Sequence, residues 1–147
     1  MTETASERIR VEAGAERCWA VATDFESYPE WVRDIREARV VARDADGRGT
    51  RVEFRAAALG KSIRYVLAYD YSEAPTGFSW RLDTGDELLR RLDGSYRFEP
   101  QGAGTRVHYD LAVDLTAPLP GAVKRRAAGL IMGSALKELK QRVEAAA

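Results

Sequence analysis

The chain has 147 residues, 45% of them hydrophobic and 31% charged, a globular balance that suits one compact domain spanning 1–147. Basic and acidic residues number 23 each, so no net field draws the molecule toward nucleic acid or an anionic membrane. A single cysteine, Cys18, excludes an internal disulfide, and a single histidine, His108, excludes a His/Cys metal cluster. No secretory leader is visible, nor an apolar run of the roughly 20 residues that a bilayer span needs. The expectation is a soluble cytoplasmic protein without metal or cofactor.

From Glu7 to Ala13 apolar residues alternate with polar ones, Ile9 and Val11 against Arg8, Arg10 and Glu12, which predicts a half-buried strand. Gly14 ends it, and Ala15 to Thr23 reads as a helix. Asp24 stands where it could cap a second short helical piece through Phe25, Tyr28, Trp31 and Val32. Pro29 forbids one continuous helix there. The period then changes to two. Strands are predicted around Val40, around Val52 and Phe54, from Ile63 to Tyr71, from Phe78 to Leu82, around Leu92 to Phe98, and from Val107 to Leu115. The turns between them are short, so neighbours are antiparallel. Pro118 and Pro120 close the last strand, and Gly121 to Ala146 reads as a long helix. Met132, Leu136, Leu139 and Val143 form its apolar stripe, while Lys137, Glu138, Lys140 and Arg142 fall on the side assigned to water.

One pattern occurs twice. Gly47-Arg48-Gly49-Thr50-Arg51-Val52-Glu53-Phe54 and Gly102-Ala103-Gly104-Thr105-Arg106-Val107-His108-Tyr109 both follow G-x-G-T-R-V-x-aromatic. Each leads into a strand, and neither continues into a phosphate-loop or dinucleotide fingerprint, so both are predicted hairpin turns.

Sorting the strand residues by parity gives one greasy and one charged face. The greasy face carries Phe54, Tyr65, Tyr69, Tyr71, Trp80, Tyr96 and Tyr109 among aliphatic residues. So many aromatics with polar tips are hard to satisfy in a dry core, which favours a pocket. Tyr65, Tyr69, Trp80 and Tyr96 are the expected walls, joined by Phe54 and Tyr109, with Met132 and Leu136 as a helical lid. Tyr28 and Trp31 are candidates for the mouth, although Trp31 also suits a core anchor. Arg90 shares the inward register of Leu88 and Leu92, where it could hold a carboxylate or polarise a carbonyl.

The order strand, two short helices, six strands, long helix resembles the helix-grip fold of the START-like superfamily. The segments that carry the likeness are Asp24-Phe25-Glu26-Ser27-Tyr28-Pro29-Glu30-Trp31 and Leu92-Asp93-Gly94-Ser95-Tyr96-Arg97-Phe98-Glu99-Pro100, the latter continuing into Gly104 to Leu111. They are similar to the branch that holds coenzyme Q-binding Coq10-type proteins, the RatA ribosome-association type and polyketide cyclase/dehydrase-like proteins. The resemblance implies an α+β fold, a seven-stranded curved antiparallel sheet wrapped around the C-terminal helix, with a cavity between them. Its implied partner is a hydrophobic small molecule such as a lipid, a quinone or isoprenoid, or a polyketide.

Three functional readings follow. The first is a binder or carrier that leaves its ligand unchanged. The second is a polyketide cyclase/dehydrase-type enzyme, against which stands an inward parity with no Asp, Glu or His. His108 falls on the outward side. The third is a RatA-like module that meets the ribosome. The outer arginines alternate with acids and no exposed aromatics stack there, so nucleic acid is not the expected partner. The Lys124-Arg125-Arg126 cluster leaves peripheral contact with a phosphate-bearing membrane open.

Overall fold

The computed structural model describes residues 2–58, 61–85, 89–116 and 120–145, with the side chains of residues 58, 61, 124 and 127–134 outside that description. Strand β1 (Glu3–Val11) leads into helix α1 (Ala15–Thr23) and a 3-10 helix, η1 (Phe25–Glu30). Six strands follow: β2 (Ile35–Arg43), β3 (Gly49–Ala58), β4 (Lys61–Asp70), β5 (Gly77–Thr84), β6 (Leu89–Gln101) and β7 (Gly104–Leu115). Helix α2 (Gly121–Ala145) completes the described chain. The strands form one antiparallel sheet in the order β1-β7-β6-β5-β4-β3-β2. Helix α2 packs on its greasy face against β1 and β7. This is the helix-grip architecture that the sequence predicts.

Two local differences from expectation have clear causes. Strand β1 starts at Glu3 rather than Glu7, because pairing with β7 runs from Glu3↔Val113 to Val11↔Thr105. Those first residues are too polar to show an apolar alternation, so partner hydrogen bonds rather than periodicity define the strand. Asp24 makes no side-chain capping bond to η1. That helix is tied instead by the Tyr28 hydroxyl, which donates to the Ala22 carbonyl.

The repeated G-x-G pattern is the same hairpin device used twice. Gly47 and Gly102 adopt φ of 83° and 63°, a left-handed backbone that side chains disfavour. The second glycine of each copy begins a strand in tight quarters. A methyl group on Gly49 would lie 3.2 Å from the Phe25 ring, and one on Gly104 would lie 2.7 Å from the Val11 carbonyl. The next threonine of the second copy is fully buried and its hydroxyl donates to the Ala13 carbonyl at 2.7 Å.

The outer face of the sheet is laced by ion pairs. Arg55 meets Glu37 at 3.1 Å, Arg64 meets Glu53 at 3.2 Å, and His108 lies 3.3 Å from Glu99. Cross-strand pairing therefore accounts for much of the charge there. The inner face divides in two. Beneath α1 and the C-terminal turns of α2, Val11, Cys18, Phe25, Phe78, Phe98, Val107, Leu139 and Val143 pack as a closed core. Toward β3, β4 and the end of η1, the same face opens into a cavity.

Candidate ligand-binding site

The cavity has a volume of about 550 Å³. Its floor is the inward parity of the sheet: Phe54 and Ala56 from β3, Tyr65, Leu67 and Tyr69 from β4, Trp80 from β5, Tyr96 from β6, and Tyr109, Leu111 and Val113 from β7. Tyr28, Trp31, Val32, Asp34 and Ile35 border it from the η1 side, and Ala135 and Glu138 border it from α2. Of the lining residues, Asp34 is exposed, and Tyr28, Trp31, Val32, Ile35, Ala57, Tyr69, Leu92, Leu115, Ala135 and Glu138 are half-buried, so the rim includes α2 and the segment joining η1 to β2. A polar hollow lined by Asp70, Ser79 and Arg81 also touches Tyr69 and Trp80.

The aromatic floor is continuous. The Tyr69 and Trp80 rings stand 5.9 Å apart, Trp80 and Tyr96 5.6 Å, and Tyr96 and Tyr109 4.8 Å, while Phe54 stacks on Tyr65 at 5.6 Å. Gly94 makes this possible, since a side chain there would run into the Trp80 ring, 2.5 Å from its Cζ2. Tyr65, Tyr96 and Tyr109 are each only 7% exposed. Among the described residues their hydroxyls, and that of Tyr69, have no hydrogen-bond partner. Yet among those residues the only sealed, unpartnered side-chain oxygen is Oε1 of Glu3. The phenol oxygens of these four tyrosines therefore border open volume rather than packed atoms. Burial raises Tyr69, Tyr96, Tyr65 and Tyr109 above the ordinary phenol range, reinforced by neighbouring tyrosines at Tyr69, Tyr96 and Tyr65 and by Glu138 at Tyr96. They favour the neutral, hydrogen-bond-donating form.

Tyr28 and Tyr71 differ from this group. The Tyr28 hydroxyl is engaged with Ala22, so Tyr28 is a wall without a free donor. Tyr71 donates to the Gly49 carbonyl at 2.5 Å and carries the Arg48 guanidinium 4.9 Å from its ring centroid, outside the cavity.

The structure thus brings together Tyr28, Trp31, Phe54, Tyr65, Tyr69, Trp80, Tyr96 and Tyr109. It corrects three other expectations. Arg90 is exposed and away from the cavity, because a bulge between Leu89 and Arg91 turns both arginines outward and leaves Leu89 and Leu92 on the inner face. Leu136 is buried but packs in the closed core; the cavity side of α2 is the adjacent face, bearing Ala135 and Glu138. Glu138, expected on the wet side, is half-buried at the cavity rim. Its Oε2 accepts the Arg33 backbone N–H at 2.6 Å. The Met132 side chain, expected in the lid, and Leu88 lie outside the described residues.

The Glu138 bond and the 3.0 Å ion pair between Arg142 and Glu30 tie α2 to the rim segment. Among the described residues no Lys, Arg or His borders the cavity. Its chemistry is apolar surface, several neutral phenol donors, and carboxylates confined to the rim.

A sheet that grips a long helix over such a cavity defines a START-like protein of the helix-grip class, whose members bind hydrophobic ligands. The chain belongs to the family described as polyketide cyclase / dehydrase and lipid transport, whose family model matches residues 2–144. It is similar to a START superfamily protein from Mycobacterium smegmatis, with 28% identity, TM-score 0.91, and 98% of this chain and 99% of that one covered. A protein from Thermus thermophilus shares 29% identity at TM-score 0.80, with the same coverage of both chains. The Zhui aromatase/cyclase from a Streptomyces species shares the fold at TM-score 0.81 with 13% identity, over 98% of this chain and 94% of that one. A comparison with curated proteins finds no match.

Proposed function

We propose that this chain binds or carries a hydrophobic small molecule, a lipid, a quinone or isoprenoid, or a polyketide-like compound, and releases it unchanged. The observation that carries this reading is the cavity of about 550 Å³ floored by aromatic rings whose phenol groups have no hydrogen-bond partner among the described residues. A cavity of this volume with a few convergent polar groups suits a small organic ligand. Phenol donors that border open volume are available to hydrogen-bond a ligand oxygen. Membership in a family described by both cyclisation and lipid transport is compatible with the reading.

Glu138 gives the cyclase reading its specific support. It is a carboxylate at the cavity rim, and acid-base chemistry on a polyketide needs such a group within reach of the substrate. The two readings separate on the fate of the ligand. Native mass spectrometry of the freshly purified protein, followed by organic extraction, identifies any bound molecule. Stripped protein is then reloaded with that molecule, or with candidate polyketides, and incubated. The carrier reading expects recovery of the same mass. A dehydrated or cyclised product, lost on Glu138→Gln, would replace it with the enzyme reading.

A further inference from the structure

We infer that the cavity selects an uncharged ligand whose carbonyl-type oxygens meet a cluster of tyrosines and whose hydroxyl meets a carboxylate at the rim. This inference rests on the ligand-binding reading and deepens it.

The tyrosine cluster consists of Tyr65, Tyr96 and Tyr109. Each is more than nine-tenths buried, borders the cavity and has no hydrogen-bond partner among the described residues. The Tyr96 and Tyr109 rings are 4.8 Å apart, so two donors share one stretch of wall. Neutral phenols donate well to ketone, quinone and ester oxygens. The rim carboxylate is Glu138. Its Oε2 holds the Arg33 N–H, and Oε1 has no partner among the described residues. An ionised carboxylate has about four lone-pair sites, so acceptor capacity remains for a ligand hydroxyl.

The same arrangement disfavours acids. A ligand carboxylate would lose its water, meet no Lys, Arg or His among the described cavity residues, and share the space with Glu138. Free fatty acids and acidic aromatics are therefore poor ligands, and neutral alcohols of the same skeleton are good ones. Glu138 acts here as a specificity residue, touching the ligand rather than transforming it.

The test is displacement of Nile red, a neutral apolar dye, from the full chain by four compounds on one ring skeleton. These are methylanthracene, methylanthraquinone, hydroxymethylanthraquinone and anthraquinone carboxylate, all with the substituent at the same position. Adding the quinone oxygens and then the hydroxyl should each tighten binding by about fivefold. The carboxylate should bind at least about tenfold more weakly than the alcohol. Tyr96→Phe should erase the gain from the quinone oxygens and leave the hydrocarbon unaffected. Glu138→Gln should raise carboxylate affinity relative to the alcohol. A wild-type carboxylate that binds as tightly as the alcohol overturns the inference, as does a quinone no better than the hydrocarbon. Either result leaves hydrophobic binding standing, whereas failure of every compound and of Nile red itself would bring down the parent reading too.

Discussion

At the scale of single residues, the contrast between two kinds of tyrosine is the most informative feature. Tyr71 is spent on the fold through its bond to Gly49, and Tyr109 makes no protein bond among the described residues. Tyr71→Phe should therefore cost about 1 kcal/mol of stability, the usual net value of such a bond. Tyr109→Phe should leave urea stability within about 0.5 kcal/mol of wild type while weakening an oxygen-bearing ligand. Equal losses at both positions in urea unfolding would refute the distinction. Burial also links these residues to pH. It pushes Tyr71 up to about 12 and Tyr65, Tyr69, Tyr96 and Tyr109 higher still. The fold favours the protonated phenols, so their contribution is complete below the free-phenol pKa of about 10 and drains away as pH climbs through the folded values. Stability should thus fall steeply only above about pH 10, with tyrosinate absorbance appearing together with unfolding. Phenolate appearing near pH 10 in protein that keeps its near-ultraviolet dichroism would contradict the burial of these groups.

At the scale of elements, β6 and α2 decide what the cavity contains. The bulge at the start of β6 sends Arg90 to solvent, so Arg90→Ala should change stability by less than about 0.5 kcal/mol and leave ligand affinity untouched. A large loss of affinity, read by the same dye displacement, would place the guanidinium inside after all. Further along the strand, Gly94→Ala would press a methyl group into Trp80 and against the Asp110 carbonyl, 2.6 Å away. It should destabilise by about 1–3 kcal/mol, measured by urea unfolding, and disturb the cavity floor. A neutral result would mean that Trp80 is free to move. The helix shows a complementary lesson. Its large apolar residues Leu136, Leu139 and Val143 mark the side that packs solidly, and the side facing the cavity carries Ala135 and Glu138.

At the scale of the whole molecule, the same logic explains what could be read from the sequence and what could not. Alternation along β3 to β7, the repeated turn glycines and the long final helix specify the fold, because each is a local pattern with one structural solution. Six aromatic residues of the cavity floor, Phe54, Tyr65, Tyr69, Trp80, Tyr96 and Tyr109, were legible because parity along a strand decides which face a side chain takes, whereas Tyr28 and Trp31 lie off the strands. Arg90 was misassigned because a bulge adds a residue and reverses parity without leaving a mark in composition. Glu138 was missed because a polar residue on a helix looks solvated until the neighbouring face proves to be empty space. Nothing in the linear pattern says whether an aromatic face is filled or hollow, and that depends on how α2 lies across the sheet.

The hollow is the centre of the account, and filling it tests the account most directly. Ala135 borders the cavity from α2, so Ala135→Trp should occupy the volume with little disturbance of the closed core around Leu139 and Val143. Nile red titration of wild type and variant, alongside urea unfolding of both, is the decisive measurement. The expected result is saturable binding of one dye per wild-type chain and loss of binding in a variant that remains folded. Equal binding by a folded variant, or no saturable binding by the wild type, would show that the space between sheet and helix does not hold the ligand.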